Sequence, residues 1–241
     1  MKKVIASLLL VFNMFAYAQQ NTLTVGLCAA YPPFESRDEK SGQIVGFDID
    51  LAQEIGKILN KKVIIKDAEW QALLGGLKNG HYDVIISAMS AQEAGVGNVN
   101  ISDTYYLLND VVVVKKSNNT IHSEKDLKGK KVGVQLGSGS EQVVDKLEGL
   151  GEVARYNYNP EAFLDLKQER IDAVVVGYAY ALTQKNFKEE YKIVGTIAPS
   201  ELVVVMKEGE DKLTQQINEA LKTLKSNGTY DALVEKWLAV K

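Results

Sequence analysis

"VGFDIDLAQEI", Val45 to Ile55, repeats apolar side chains at helical spacing. Asp48 and Asp50 favour its start, where carboxylates meet the positive end of a helix. Upstream, Thr22 to Leu27 alternates as a strand does and is closed by Ala29-Ala30-Tyr31-Pro32-Pro33-Phe34, where two prolines rule out a helix start and predict an extended turn. Downstream, Lys62 to Lys66 is β-branched, Trp70 to Leu77 reads as a helix ending at Asn79-Gly80, and Asp83 to Ala88 reads as a buried strand. The order is βαβαβ, the signature of a parallel sheet with helices on its faces.

The pattern then restarts. Asp110 to Lys115 is strand-like, and Ser117 to Gly129 is a polar connection with a short helix near Ser123 to Leu127. Lys131 to Gln135 reads as a strand, Gly137 to Ser140 as a loop, and Glu141 to Leu150 as a helix. Asn159 is placed as the cap of a further helix with Pro160 at its first position, and Asp172 to Val176 as a buried strand. A strand over Glu201 to Met206 and helices over Asp211 to Leu224 and Thr229 to Trp237 fall outside this second module. A chain that leaves one lobe and returns to it gives two lobes with a cleft between them, and α/β proteins bind ligands in such clefts. The expected boundaries are a first lobe over 19–111 and 200–241 and a second over 112–199.

Met1-Lys2-Lys3, the apolar run Val4 to Phe12 and Ala16-Tyr17-Ala18 describe a cleavable export signal over residues 1–18. The apolar run is too short to span a bilayer. Its removal takes Lys2 and Lys3, leaving the chain two charges more negative than the −3 of the whole. Mild acidity and scattered lysines speak against nucleic acid as a partner. Cys28 is the sole cysteine, so no internal disulfide forms, and its place after a strand rather than after the apolar run speaks against a lipid anchor. The expected location is the periplasm.

Phosphate-binding and dinucleotide glycine motifs are missing, as is a nucleophile elbow. His81 and His122 lack partners at ligand spacing, so no metal or other cofactor is expected.

Several stretches together resemble the family 3 solute-binding proteins of ATP-driven importers, which mostly deliver polar amino acids. They are Tyr31-Pro32-Pro33-Phe34-Glu35, Gly46 to Ala52, Tyr82 to Ile86, Ser102-Asp103-Thr104-Tyr105-Tyr106, Val132 to Gln135, Asp172 to Val175 and Asn227-Gly228-Thr229-Tyr230. The resemblance implies a type II periplasmic-binding-protein fold, two lobes of mostly parallel sheet flanked by helices, closing on a ligand. The hinge strands are expected near Asp110-Val111-Val112 and Ala198-Pro199-Ser200.

Position by position, the resemblance places Tyr31 and Trp70 as aromatic walls and Ala88, Met89 and Ser90 along the first lobe's edge. Gln135, Ser138 and Gly139 fall in the second lobe's loop, whose amides hold a ligand carboxylate. Two positions depart from the family. The arginine expected to fork onto the carboxylate is Gly95, and the aspartate expected to pair with the ammonium is Gly177, followed by Tyr178. Cys28 stands where some members place an acidic or polar contact. The chain's arginines, Arg37, Arg155 and Arg170, lie outside these segments, and a lysine would lack the bidentate fork. Glu93 is expected to face solvent; turned inward it would repel a carboxylate and attract a cation.

The two glycines are expected to empty space on opposite sides of the cleft. The implied ligand is therefore larger, neutral or cationic, an amine or heterocycle stacked between Tyr31 and Trp70, with Tyr178 or Tyr105 near; the alternative is a conventional amino acid held in an unusual way. The implied function is that of a monomeric periplasmic protein delivering a small polar solute to an ABC permease. The alternatives are an enzyme on this scaffold, such as a dehydratase acting on a cyclic acid, and a non-transporting sensor with an altered site.

Overall fold

The computed structural model describes residues 21–239; the export signal read over residues 1–18 lies outside them. The strands are β1 (Thr22–Leu27), β2 (Ala30–Tyr31), β3 (Glu35–Arg37), β4 (Ile44–Val45), β5 (Lys62–Asp67), β6 (Val84–Ile85) and β7 (Val99–Ile101), then β8 (Tyr106–Lys115), β9 (Lys131–Gln135), β10 (Glu152–Tyr156), β11 (Ala173–Gly177), β12 (Tyr191–Leu202) and β13 (Val205–Lys207). The helices are α1 (Phe47–Ile58), α2 (Leu73–Lys78), α3 (Ala91–Ala94), α4 (Gly139–Val144), α5 (Asn159–Lys167), α6 (Tyr178–Leu182), α7 (Phe187–Glu190), α8 (Asp211–Ser226) and α9 (Thr229–Trp237).

One sheet runs β5-β1-β6-β13-β7 and the other β10-β9-β11-β8-β12, with β2-β3-β4 forming a small third sheet. In the first, β5, β1 and β6 are parallel, while β13 pairs antiparallel with β6 and β7. In the second, β10, β9 and β11 are parallel, while β8 pairs antiparallel with β11 and β12. In each sheet the strands therefore run mostly one way, with a single strand reversed: β13, antiparallel to β6 and β7 on either side, in the first, and β8, antiparallel to β11 and β12, in the second.

Each sheet has helices packed on its faces and its own cores. Phe47, Leu51, Ala52 and Ile55 of α1 pack with Leu23, Val25, Val84 and Ile86 and with Ile217 and Leu221 of α8. In the second sheet, Val111, Val113, Val174 and Val176 meet Phe163 and Leu166, while Val112, Val114, Val132 and Val175 fill the opposite face. The alternation along β8 is why its valines split between two cores. Each such side chain contributes on the order of 1.5–3 kcal/mol by leaving water.

Several boundaries shift. The strand read over Asp83 to Ala88 is regular only at Val84–Ile85. The helix read from Glu141 begins at Gly139 and ends at Val144. Tyr158, not Asn159, caps α5, so Pro160 lies at its second position. The strand read over Glu201 to Met206 is broken between β12 and β13. The chain crosses to the second sheet along β8 and returns along β12, whose pairing runs from Tyr106↔Leu202 to Lys115↔Tyr191. The segments read as hinges lie inside this ladder, at Asp110↔Ala198 and Leu108↔Ser200.

Candidate functional site

Where β6 ends, the backbone turns toward the gap between the sheets. Ala88 takes a left-handed conformation (φ 45°), uncommon for a residue with a Cβ. A buried acid pair holds it there: Asp48 Oδ2 accepts from the Ala88 N–H (2.6 Å) and the Tyr105 hydroxyl (3.0 Å). Glu35 is buried beside Asp48 and accepts from Ser87 Oγ (3.0 Å), which in turn accepts from the Cys28 N–H (3.0 Å). Burial, then the neighbouring Asp48, pushes Glu35 well above the usual carboxylate range, and burial lifts Asp48 to about 6. The pair therefore holds a proton near neutrality, as two carboxyls in one dry site must.

The cleft lies between the sheets. Its first wall carries Cys28, Ala30, Tyr31, Trp70, Ser87, Ala88 and Glu93, with Glu35 beneath; its second carries Gln135, Ser138, Gly139, Ser140, Asn159 and Val176, and Leu108, Asp110, Ser200 and Leu202 close the hinge side. The lobes are shut. Trp70 Nε1 donates to the Gly137 carbonyl (3.0 Å), the Tyr158 hydroxyl bonds Glu69, and the Gly139 N–H bonds Glu93 Oε1. About 50 Å³ remains free inside, room for a handful of water-sized groups.

Glu93 is the site's main surprise. Expected to face solvent, it is only 7 % exposed and bonded to both walls. Ser90 caps α3 and its hydroxyl accepts from the Glu93 N–H (3.1 Å), while the Ser90 N–H donates to Glu93 Oε2 (2.5 Å). Ser90-x-x-Glu93 is a capping box, a pattern legible in the sequence that turns the carboxylate back over the helix start. Burial pushes Glu93 up to about 7, against the pull of its hydrogen bonds and with a smaller contribution from Asp110.

Asp110, read as a strand and hinge residue but not as a ligand contact, also faces the cleft. It is buried and accepts from Ser140 Oγ (2.6 Å) and Ser200 Oγ (2.9 Å). Burial raises its pKa. Its position opposite Ala198 on β12 is invisible without the strand pairing.

Of the other residues singled out, Cys28, Tyr31, Trp70, Ala88, Gln135, Ser138 and Gly139 line the cleft. Burial lifts the Cys28 thiol to about 11, so it is neutral. Tyr31 stacks on Tyr180 of the second lobe (ring centroids 4.8 Å apart). Gln135 is occupied with Asn157 and Asn159, and Ser138 with Gln135 and the start of α4. Met89 is buried in the core beneath α2. Ser90 borders the cleft through its bonds to Glu93 rather than through a free hydroxyl. Gly95 lies at the exposed end of α3, outside the cleft lining. Gly177 is buried, but a side chain there would run into Tyr31 Oη and Leu108. Neither glycine opens the space expected of it. Tyr178 is partly exposed and outside the lining, and Tyr105 belongs to the core around Asp48.

Two mixed α/β lobes joined by paired crossing strands and closed over a lined cleft define a hinged ligand trap. The chain belongs to the bacterial extracellular solute-binding proteins, family 3, whose model matches residues 23–240. It is 32% identical over 223 residues to the L-cystine-binding protein TcyJ of Escherichia coli (strain K12), covering 91% of this chain and 83% of that protein. Among solved structures, it resembles an ancestral arginine-binding protein bound to arginine (42% identity, TM-score 0.84, 91% of this chain and 99% of that one). It also resembles an ancestral amino-acid-binding protein described as a precursor of cyclohexadienyl dehydratase (33% identity, TM-score 0.83, 94% and 100% covered). The curated relatives are binding proteins. No described helix is long and apolar enough to cross a membrane, and no described group of histidines, cysteines and carboxylates could hold a metal.

Proposed function

We propose that this chain captures a small polar solute in the periplasm by lobe closure and hands it, as a monomer, to an ABC permease. The observation carrying this reading is the cleft, whose lining comes from both lobes and whose closure is made by hydrogen bonds across it. Binding there draws the lobes together, and the closed face is what a permease distinguishes from the open one.

A second reading comes from the resemblance to a dehydratase precursor. Glu93 and Asp110 are buried acids with raised pKa values, as a general acid requires. The described lining holds no lysine, arginine or histidine to grip an acidic substrate, which favours the binding role.

Thermal-shift and calorimetric screening of the mature protein against amino acids, amines, nucleobases and vitamins tests the proposal, because a ligand stabilises the form that binds it. Small-angle scattering should report compaction with the solute that shifts the transition. A solute recovered chemically changed after incubation would favour the enzyme.

A further inference from the structure

The carboxylate of Glu93 joins the lobes. Its Oε2 accepts from the Ser90 N–H at the edge of the first, and its Oε1 from the Gly139 N–H of the second. The capping box explains the first bond, since Ser90 and Glu93 share one helical turn. It does not explain the second, which reaches 46 residues along the chain to the opposite wall. Both oxygens of a 7 % exposed side chain are thus bound by backbone amides from facing sides of a ligand cleft.

The surroundings carry one sign of charge. Asp110 is buried beside it with both oxygens held by serine hydroxyls, and no cationic side chain lines the described cleft. Arg37 is paired with Asp67, Arg155 with Glu141 and Asp145, and Arg170 with Asp165, all at the surface. An entering carboxylate would find these two amides taken and two carboxylates facing it, and would lose its hydration without gaining a partner. A cation would gain both carboxylates, and the indole of Trp70 on the first wall favours positive charge over negative, while Tyr31 is already stacked between Tyr180 and Phe34. About 50 Å³ of free space suits a head group of ammonium or amidinium size.

We propose that Glu93 supplies, from within the chain, the carboxylate that bridges the lobes, and that the solute is a small organic cation bearing no carboxylate of its own, a primary amine or an amidine. This deepens the solute-binding reading above and rests on it.

The test is calorimetry on the mature chain with matched pairs that differ only in the α-carboxylate: ethylamine and alanine, ethanolamine and serine, putrescine and ornithine, agmatine and arginine, histamine and histidine. At least one amine is expected to bind, and at least tenfold more tightly than its amino acid. Glu93→Gln keeps the size and removes the charge, and should weaken that amine at least tenfold. Glu93→Ala vacates the two amides and should raise the affinity of the matching amino acid. If Glu93→Ala does not fold, Glu93→Gln carries the test, with its urea transition confirming the folded state. An amino acid that binds the unaltered chain as tightly as its amine, or amine binding that Glu93→Gln leaves unchanged, overturns the inference. Lobe closure by an uncharged or anionic solute while no amine binds overturns this inference alone. Failure of every solute to close the lobes overturns the solute-binding reading and the inference with it.

Discussion

Gly95 and Gly177 look equivalent in the sequence, each a glycine where the family resemblance places a charged contact for the ligand. The fold treats them oppositely. Gly95 ends α3 in helical conformation (φ −64°), exposed, and an added Cβ would rest 3.3 Å from the Ala91 carbonyl oxygen and 3.5 Å from that of Gln92. Gly177 ends β11, buried, paired across the ladder with Asp110, its side-chain space filled by Tyr31 and Leu108. A missing side chain leaves a hole only when no neighbour moves in. At Gly177 the neighbour is an aromatic residue from the other lobe.

The harshest way to break that contrast is Gly177→Asp. The carboxylate would displace Tyr31 and Leu108 and face Asp110 directly across the ladder, where like charges repel. A loss of about 3 kcal/mol or more is expected in urea unfolding, from overpacking and buried charge together.

Next in size is the pH dependence centred on Glu93. Burial raises it from its ordinary 4.5 to about 7, so over that interval the folded chain holds a proton that the unfolded chain has released. The associated stability is full below the lower value and is lost as pH rises through the upper. The unliganded protein should lose on the order of 3 kcal/mol between pH 4.5 and 8 from this group. Urea midpoints of Glu93→Gln should vary less over the same range. Asp48, Glu35 and Asp110 act in the same direction and remain in both proteins, so the difference between the two curves reports Glu93 together with its interaction with Asp110. Binding of a cationic solute should tighten as pH rises through about 7, with proton release measurable by calorimetry in buffers of different ionisation enthalpy.

Trp70→Phe sharpens the comparison by keeping an aromatic wall while deleting one bond between the lobes, Nε1 to the Gly137 carbonyl. About 1 kcal/mol of closure is lost, read as about fivefold weaker solute binding. The smallest effect belongs to Gly95→Ala. Stability should stay within about 0.5 kcal/mol and solute affinity within about twofold, because the site is exposed and its backbone already helical.

Much of the fold could be read from runs such as Val111 to Val114 and from the helical spacing around Phe47, because burial selects those residues locally. The full length of β12 could not. Gly195 and Pro199 interrupt it, and its pairing with β8 shifts between Ile193 and Gly195 and again between Thr196 and Ala198. Proline is tolerated because β12 is an edge strand with one partner. In the cleft, aromatic and small residues were legible by type, but the direction of Glu93 was not, since polarity alone predicts a solvated carboxylate. The capping box was the available clue, and it accounts for only one of the two bonds. Asp110 became a cleft residue only when the second sheet brought Ser140 and Ser200 to it.

The capping box has one further consequence. The same carboxylate finishes the turn of α3 and touches the opposite lobe, so opening the cleft strips that turn of one of its anchors. The amide hydrogens of Ala94 and Gly95, bonded back to Ser90 and Ala91, then become a clock for the lobes. Their deuterium uptake should accelerate whenever the trap stands open and slow when a solute holds it shut. One turn of helix thereby records how long the protein spends waiting.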